Sequence, residues 1–206
     1  AVTDNLTAFA DLQIRTINYS TNGIDNDQRR IDVEEDFVFF NPKAGLNYRF
    51  SAITSAYASY SISNREPVRN DFIDAPTGEK PEHEQLNNLE LGIQVNDKDY
   101  FFHANLFHMD YNNQLVLTGE LNDVGSSIRQ NVENSYRAGI EISAGVTISK
   151  KLSFSGNMTM SRNKIEAFDD YFYDYVSGET IITRIEEADI SFSPNFIAAS
   201  TVEYRP

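Results

Sequence analysis

Tyr136-Arg137-Ala138-Gly139-Ile140-Glu141-Ile142-Ser143-Ala144-Gly145-Val146-Thr147-Ile148 is the stretch on which the reading of this sequence turns. Tyr136, Ala138, Ile140, Ile142, Ala144, Val146 and Ile148 fall on one phase of a period of two. Arg137, Gly139, Glu141, Ser143, Gly145 and Thr147 fall on the other. Side chains alternate between the two faces of an extended strand, so this pattern predicts a strand with one apolar and one polar face. It runs unbroken for longer than the five or six residues of an ordinary strand. The length suits a strand that crosses a bilayer, which takes about 9–11 residues tilted near 45°.

The pattern recurs in both directions along the chain. After a short Ser149-Lys150-Lys151 turn, Leu152, Phe154, Gly156, Met158 and Met160 alternate with Ser153, Ser155, Asn157, Thr159 and Ser161. Leu6, Ala8, Ala10, Leu12 and Ile14 alternate with Thr7, Phe9, Asp11, Gln13 and Arg15; Pro42, Ala44, Leu46, Tyr48 and Phe50 with Asn41, Lys43, Gly45, Asn47 and Arg49. Leu89, Leu91, Ile93 and Val95 do the same against polar neighbours, and 55–65 and 194–204 are weaker copies. In 100–111 the apolar residues Phe101, Phe102, Leu106, Phe107 and Met109 occupy both phases, so that segment has no clean face.

These segments predict eight strands, over 3–19, 37–50, 55–65, 85–95, 100–112, 134–148, 152–163 and 190–204. Short turns near 51–54, 96–99 and 149–151 alternate with long polar connections at 20–36, 66–84, 112–132 and 164–188. Consecutive antiparallel strands put alternate connections at opposite ends of the sheet. All the short turns then share one end and all the long connections the other, as in an up-and-down outer-membrane barrel. The expected fold class is all-β: an antiparallel up-and-down transmembrane β-barrel sheet of about eight strands.

Bulk composition excludes several alternatives. The 206 residues carry 31 Asp and Glu against 17 Lys and Arg, a formal net charge of −14. Nucleic acid asks for a basic footprint, so none is expected as a partner. Mean hydropathy is −0.45, and no apolar run approaches the roughly 18 residues of a membrane-spanning helix. Alternating strands need no such run. There is no cysteine, which removes disulfide frameworks and thiolate metal sites. No serine elbow, phosphate loop or zinc motif occurs, so the reading is not that of an enzyme and no cofactor is expected. His103 and His108 lie five apart on one strand and face opposite ways, a poor spacing for metal. Asp25 and Asp27 resemble the start of a calcium loop but lack its Gly and Glu. No metal site is expected.

The 168–179 segment, Phe-Asp-Asp-Tyr-Phe-Tyr-Asp-Tyr-Val-Ser-Gly-Glu, has the most unusual composition in the chain. Carboxylates mixed with aromatic faces suit a sugar, a catecholate-like chelate or a cation. Asp169, Asp170, Tyr171, Tyr173, Asp174 and Tyr175 are therefore the candidate solute-binding residues, expected on a loop.

Several stretches resemble the TonB-dependent receptors, in particular those of Bacteroidetes-type bacteria. They are Phe39-Phe40-Asn41-Pro42-Lys43-Ala44-Gly45-Leu46-Asn47-Tyr48, then 57–67 with Arg69-Asn70-Asp71-Phe72, then 82–92, then 104–119 leading into 122–131, and finally Ser135 to Glu141. The resemblance implies a barrel of about 22 strands with a plugged lumen. It implies energised uptake of a scarce solute such as a ferric siderophore, a vitamin or a glycan across the bacterial outer membrane. Its implied partners are that solute, membrane lipid and an inner-membrane energy-coupling complex acting through a plug. Residues 1–206 would be a partial barrel domain, without plug or terminal strands. Two other readings remain beside it: a complete eight-stranded outer-membrane barrel with an adhesive or structural role, and a soluble β-sandwich or lipocalin-like binding module.

Overall fold

The computed structural model describes residues 4–24, 30–75, 80–121, 127–174, 176 and 178–206, with the side chains of 74, 118–121, 127, 170–174, 179 and 180 outside that description. The elements are β1 (Leu6–Ile24), β2 (Arg30–Arg49), β3 (Thr54–Arg65), α1 (Arg69–Asp74), β4 (Glu84–Asn96), β5 (Tyr100–Leu121), β6 (Ser127–Ser149), β7 (Leu152–Asp174), β8 (Glu179–Asp189) and β9 (Phe196–Tyr204). They form one antiparallel sheet in sequence order from β1 to β8, with β9 also on β7. A second sheet is absent among the described residues, which removes the β-sandwich reading. The sheet is open, not closed on itself, so it is not a finished eight-stranded barrel.

The registers align the alternation of every strand. One transverse row runs Ala8, Leu46, Ala58, Leu91, Leu106, Ile140, Met160, Phe196. Its neighbour on the same face runs Leu6, Tyr48, Ala56, Ile93, Ala104, Ile142, Met158, Ala198. The row between them points the other way and reads Thr7, Asn47, Tyr57, Gly92, Asn105, Glu141, Thr159, Ile197. A slip of one residue in any strand would put its apolar set among the polar ones, so the alternation itself specifies the register. Towards the long-connection end the band dissolves. The row Ala10, Ala44, Tyr60, Leu89, His108, Ala138, Arg162 already mixes charge and aromatic rings.

The apolar band is uncovered. Leu12 is 71% exposed, Ile14 74% and Leu106 53%. Buried hydrophobics gather instead at the long-connection end, where Val116, Val132, Ile165 and Ile190 pack with Phe168 and Ala188. The two-phase pattern of 100–111 is resolved here. Phe102 and Leu106 belong to the band, while Phe101 and Phe107 lie on the polar face opposite Gly145 and Gly139. Phe9 lies likewise against Gly45 and Tyr57 against Gly92. The polar face thus tolerates large rings because a glycine opposite leaves room for each, an arrangement that also pins register.

The turns at one end are short and locally bonded. Ser51 Oγ accepts from the amides of Ile53 (3.2 Å) and Thr54 (3.1 Å). Asp97 N donates to Tyr100 O at 2.9 Å. At the other end the structure departs from the expected long loops. β7 runs for 23 residues, about 76 Å at roughly 3.3 Å per residue, where a bilayer core of about 30 Å needs only about ten. The segments expected as connections at 20–36, 112–132 and 164–188 are largely strand. Beyond the apolar band, strand pairing continues while the one-face apolar requirement ends, so polar residues appear on both faces and the period-two signal vanishes. The expected strand 190–204 is correspondingly shorter and starts at Phe196. β8 pairs the far part of β7 and β9 its near part, so the two form one interrupted strand. Six residues, 190–195, sit against three, 161–163, at the break.

Gly139 meets the next strand most closely. A Cβ there would overlap Met160 O and come within 2.9 Å of Ser161 Cα, both backbone, whereas at Gly23 it would meet nothing within 4 Å. Gly139→Ala is expected to lower stability by about 1–3 kcal/mol and Gly23→Ala to leave it unchanged. Urea unfolding of the receptor in lipid vesicles measures both; equal midpoints would contradict the packing described.

Candidate functional site

Two segments leave the sheet and fold over its polar face. The first is the β3–β4 connection, 66–83. Its anchor is Asp71, whose side chain is 4% exposed. One carboxylate oxygen accepts from Val68 N at 2.8 Å, and the other faces Arg129 of β6 at 3.6 Å. Phe72, the next residue, stacks on Tyr19 of β1 with ring centroids 5.4 Å apart. The connection therefore reaches from β1 to β6, across the strands between.

Further along, residues 82–84 dock on β5 through side chains. Glu84 accepts from Leu115 N at 2.6 Å and pairs with Arg65 Nε at 2.5 Å, which occupies both its oxygens. Asn131 accepts from Glu82 N at 2.8 Å and donates to Asn113 O at 2.6 Å. Asn113 has φ 54°, a left-handed conformation in mid-strand, which an asparagine tolerates better than most residues. Arg15 on β1 bonds Glu66 at 2.6 Å and the carbonyl of Asn64 at 3.0 Å, and its guanidinium lies 5.2 Å from the centroid of Phe39.

The second segment is the break in the eighth arm, 190–195. Ser191 Oγ donates to Leu117 O at 3.3 Å on β5, and Arg137 Nη1 donates to Ser193 Oγ at 2.8 Å. Asn163 Nδ2 donates to Ser193 O at 3.3 Å and Asn195 Oδ1 at 3.2 Å. The strap thus crosses β6 and β7 on their polar side.

Two cavities lie beside these segments, one against the strap and one against the β3–β4 connection. One, of about 440 Å³, is lined by Arg65, Arg129, Arg137, Glu84, Tyr111 and Ser191 among others. The second, of about 490 Å³, is lined by Lys80, Glu82, Arg129, Glu133, Asp169 and Arg184 among others. Arg129 belongs to both walls. Their size is that of small-molecule pockets, and guanidiniums, carboxylates and amides offer polar recognition to a solute.

Of the candidate residues named from sequence, Asp169 lines the second cavity and pairs with Arg184 at 3.1 Å. It stands on β7 and not on a loop, and the backbones of Asp170, Tyr171, Tyr173 and Asp174 continue that strand. The side chains of those four, and all of Tyr175, lie outside the described residues, as do Asp25 and Asp27. The segment called a loop is therefore a hairpin arm, because aromatic residues favour extended backbone. His103 and His108 face opposite sides: His103 Nε2 sits 2.8 Å from Asn96 Oδ1 on the polar face, while His108 stacks against Tyr136 in the band. Among the described residues no three metal-ligating side chains converge. The arginine cluster was not singled out from sequence. Arg65 stands on β3 and Arg129 and Arg137 on β6, two strands that are not neighbours in the sheet, and only the fold gathers them.

A single-layer antiparallel wall, apolar on one side and carrying polar, solute-sized cavities on the other, defines a piece of a β-barrel receptor. The chain belongs to the TonB dependent receptor-like β-barrel family, which it matches over residues 2–204. Among solved structures it is similar to the ferric-catecholate import receptor Fiu from E. coli K12, at 18% identity and TM-score 0.66, over 98% of this chain and 30% of that one. It is similar to the siderophore receptor PiuA from Acinetobacter baumannii, at 16% identity and TM-score 0.70, over 98% and 29%. It is also similar to the copper transporter OprC, at 13% identity and TM-score 0.70, over 79% and 27%. The chain therefore spans under a third of the length of these structures. No curated relative matches the sequence.

Asp71 holds the β3–β4 connection down. Asp71→Ala is expected to cost about 1–3 kcal/mol of local stability, the range for a buried charged hydrogen-bonding group. Limited proteolysis of the receptor should then cut within 66–83 many times faster than in the parent. Unchanged cutting would show that other contacts anchor the segment.

Proposed function

We propose that this chain is part of the wall of an outer-membrane receptor that imports a scarce solute, with a ferric siderophore as the leading candidate. The observation that carries the reading is the pairing of faces. An unbroken apolar band spans all eight arms on one side, and a polar face with two solute-sized cavities lies on the other. Lipid suits the first, since a water-exposed apolar patch of more than roughly a few hundred Å² is uncommon on a soluble monomer. The continuous ladder satisfies backbone groups that hydrocarbon would leave unpaired. Family membership supports transport, and names such as ferric-catecholate import receptor and siderophore receptor among the similar structures support iron chelates over vitamins or glycans. The work is binding and passage, not catalysis.

In this reading the arms of β1–β2 and β5–β8 rise above the membrane, and Asp169, Asp170, Tyr171, Tyr173, Asp174 and Tyr175 help capture the solute there. Energy would come from an inner-membrane complex acting through a plug. The experiment is uptake of radioactive iron by iron-starved cells bearing the receptor. Uptake should stop when a protonophore collapses the inner-membrane gradient. Replacing Tyr171, Tyr173 and Tyr175 together by Ala should raise the half-saturating concentration about tenfold or more, the scale of several lost aromatic contacts. Uptake indifferent to the protonophore would refute the energised-receptor reading, and an unchanged half-saturation would remove these tyrosines from it.

A further inference from the structure

The cavity between β3–β6 and the strap contains a charge imbalance. Its three lining arginines differ in their partners. Arg65 is paired with Glu84, and Arg129 with Asp71. Arg137 forms no ion pair with a described residue; its guanidinium bonds the neutral Ser193 hydroxyl at 2.8 Å. The polar groups around it are neutral too. Ser135 is spent on Gln114 (2.6 Å), and Asn163 on the strap. In a chain with 31 acidic and 17 basic residues, most basic groups near the cavities have a carboxylate partner: Lys80 with Glu35, Lys164 with Asp189, Arg184 with Asp169. A cavity-lining guanidinium left without one is the exception.

We propose that this cavity is an anion subsite in which Arg137 holds a carboxylate or phosphate group of the imported solute. The inference rests on the receptor reading above and narrows it to solutes with an anionic arm. Arginine presents a planar fork of donors that matches a carboxylate or phosphate, and such charge-assisted pairs are roughly twice as strong as neutral hydrogen bonds. The Ser193 hydroxyl and the Tyr111 hydroxyl, both neutral, accept from this side chain and orient it, while others of its five donors stay available to a ligand. Glu84, the carboxylate in the lining, has both oxygens engaged by Leu115 N and Arg65 and does not compete for Arg137. In a chain this acidic, a cavity-lining guanidinium without a carboxylate partner favours the entry of an anionic group.

The test uses the purified full-length receptor in detergent, with citrate, inorganic phosphate and sulfate as probes at equal ionic strength. Each is read by its shift of the thermal transition and by direct calorimetric titration. At least citrate or phosphate should bind, and Arg137→Gln should weaken that binding roughly 10- to 100-fold, the scale of one lost charge-assisted hydrogen bond. Arg137→Lys should restore part of it. Ser193→Ala removes the bond from strap to guanidinium but keeps the charge, and should bind within a few-fold of the parent. No binding of any of the three anions overturns the proposal. So does equal loss in Arg137→Gln and Ser193→Ala, which would mean that Arg137 only holds the strap. The iron-uptake assay stands apart: anion binding without energised uptake would refute the transport reading alone, and energised uptake without Arg137-dependent anion binding would refute this inference alone.

Discussion

Everything in this structure depends on the antiparallel backbone ladder and the constraint that it stay in register across all eight arms. The ladder is the only regular connection between strands, since the sheet is a single layer with no facing sheet among the described residues. In hydrocarbon every unpaired peptide group would cost several kcal/mol. Each strand therefore must pair along its full length wherever the band runs. The side chains settle which pairing. With Ala8, Leu46, Ala58 and Leu91 in one row and Thr7, Asn47, Tyr57 and Gly92 in the next, a shift of one residue would bring polar groups into the band. Register and amphipathicity are one property here.

Where the band ends, the same ladder serves another purpose. Freed from presenting an apolar face, the arms carry charge on both sides and support two segments that fold back over the polar surface. The β3–β4 connection is tied down at Tyr19, Arg129 and Leu115, and the strap at Leu117, Arg137 and Asn163. Both are held by side chains, with few ladder bonds, and that is what leaves room for cavities beneath them. The strap exists because one arm is interrupted: β8 stops at Asp189 and β9 resumes at Phe196 on the same partner strand. The positive φ of Phe192, 57°, marks where its backbone turns out of the strand direction.

The fold was legible from the chain wherever alternation persisted, as in Tyr136–Ile148 and Leu152–Ser161. The order of strands, and which connections share an end of the sheet, followed from that alone; the length of the connections did not, since three of the four expected long ones are largely strand. Legibility failed where the environment stopped selecting for alternation. Residues 164–174 read as loop because Lys164, Glu166, Asp169 and Asp170 scatter charge over both phases, yet the backbone pairs there as regularly as lower down. The break at 190–195 was missed since Ser191, Ser193 and Ser200 look alike in sequence, and only Pro194 hints at lost pairing. Of the candidate site, Asp169 was named from composition. Arg65, Arg129 and Arg137 were not, because their meeting depends on contacts between distant strands that no local pattern encodes. Phe101 and Phe107 blurred the phase of β5 for a related reason: the glycines that make room for them, Gly145 and Gly139, lie about 40 and 30 residues away on the next strand.

The central claim is that one face of this sheet meets lipid and the other water. These 206 residues hold no cysteine, so single cysteines are introduced over 138–147 in a full-length receptor from which any cysteine elsewhere has been replaced by serine. Each variant, placed in outer-membrane vesicles, is reacted with a water-soluble maleimide and, after spin labelling, exposed to a membrane-confined relaxation agent. The account predicts strict alternation: Ala138→Cys, Ile140→Cys, Ile142→Cys and Ala144→Cys respond to the membrane agent, and Gly139→Cys, Glu141→Cys, Ser143→Cys and Thr147→Cys respond to the aqueous reagent or to neither. Water reactivity at the even positions equal to or above that at the odd ones would contradict it.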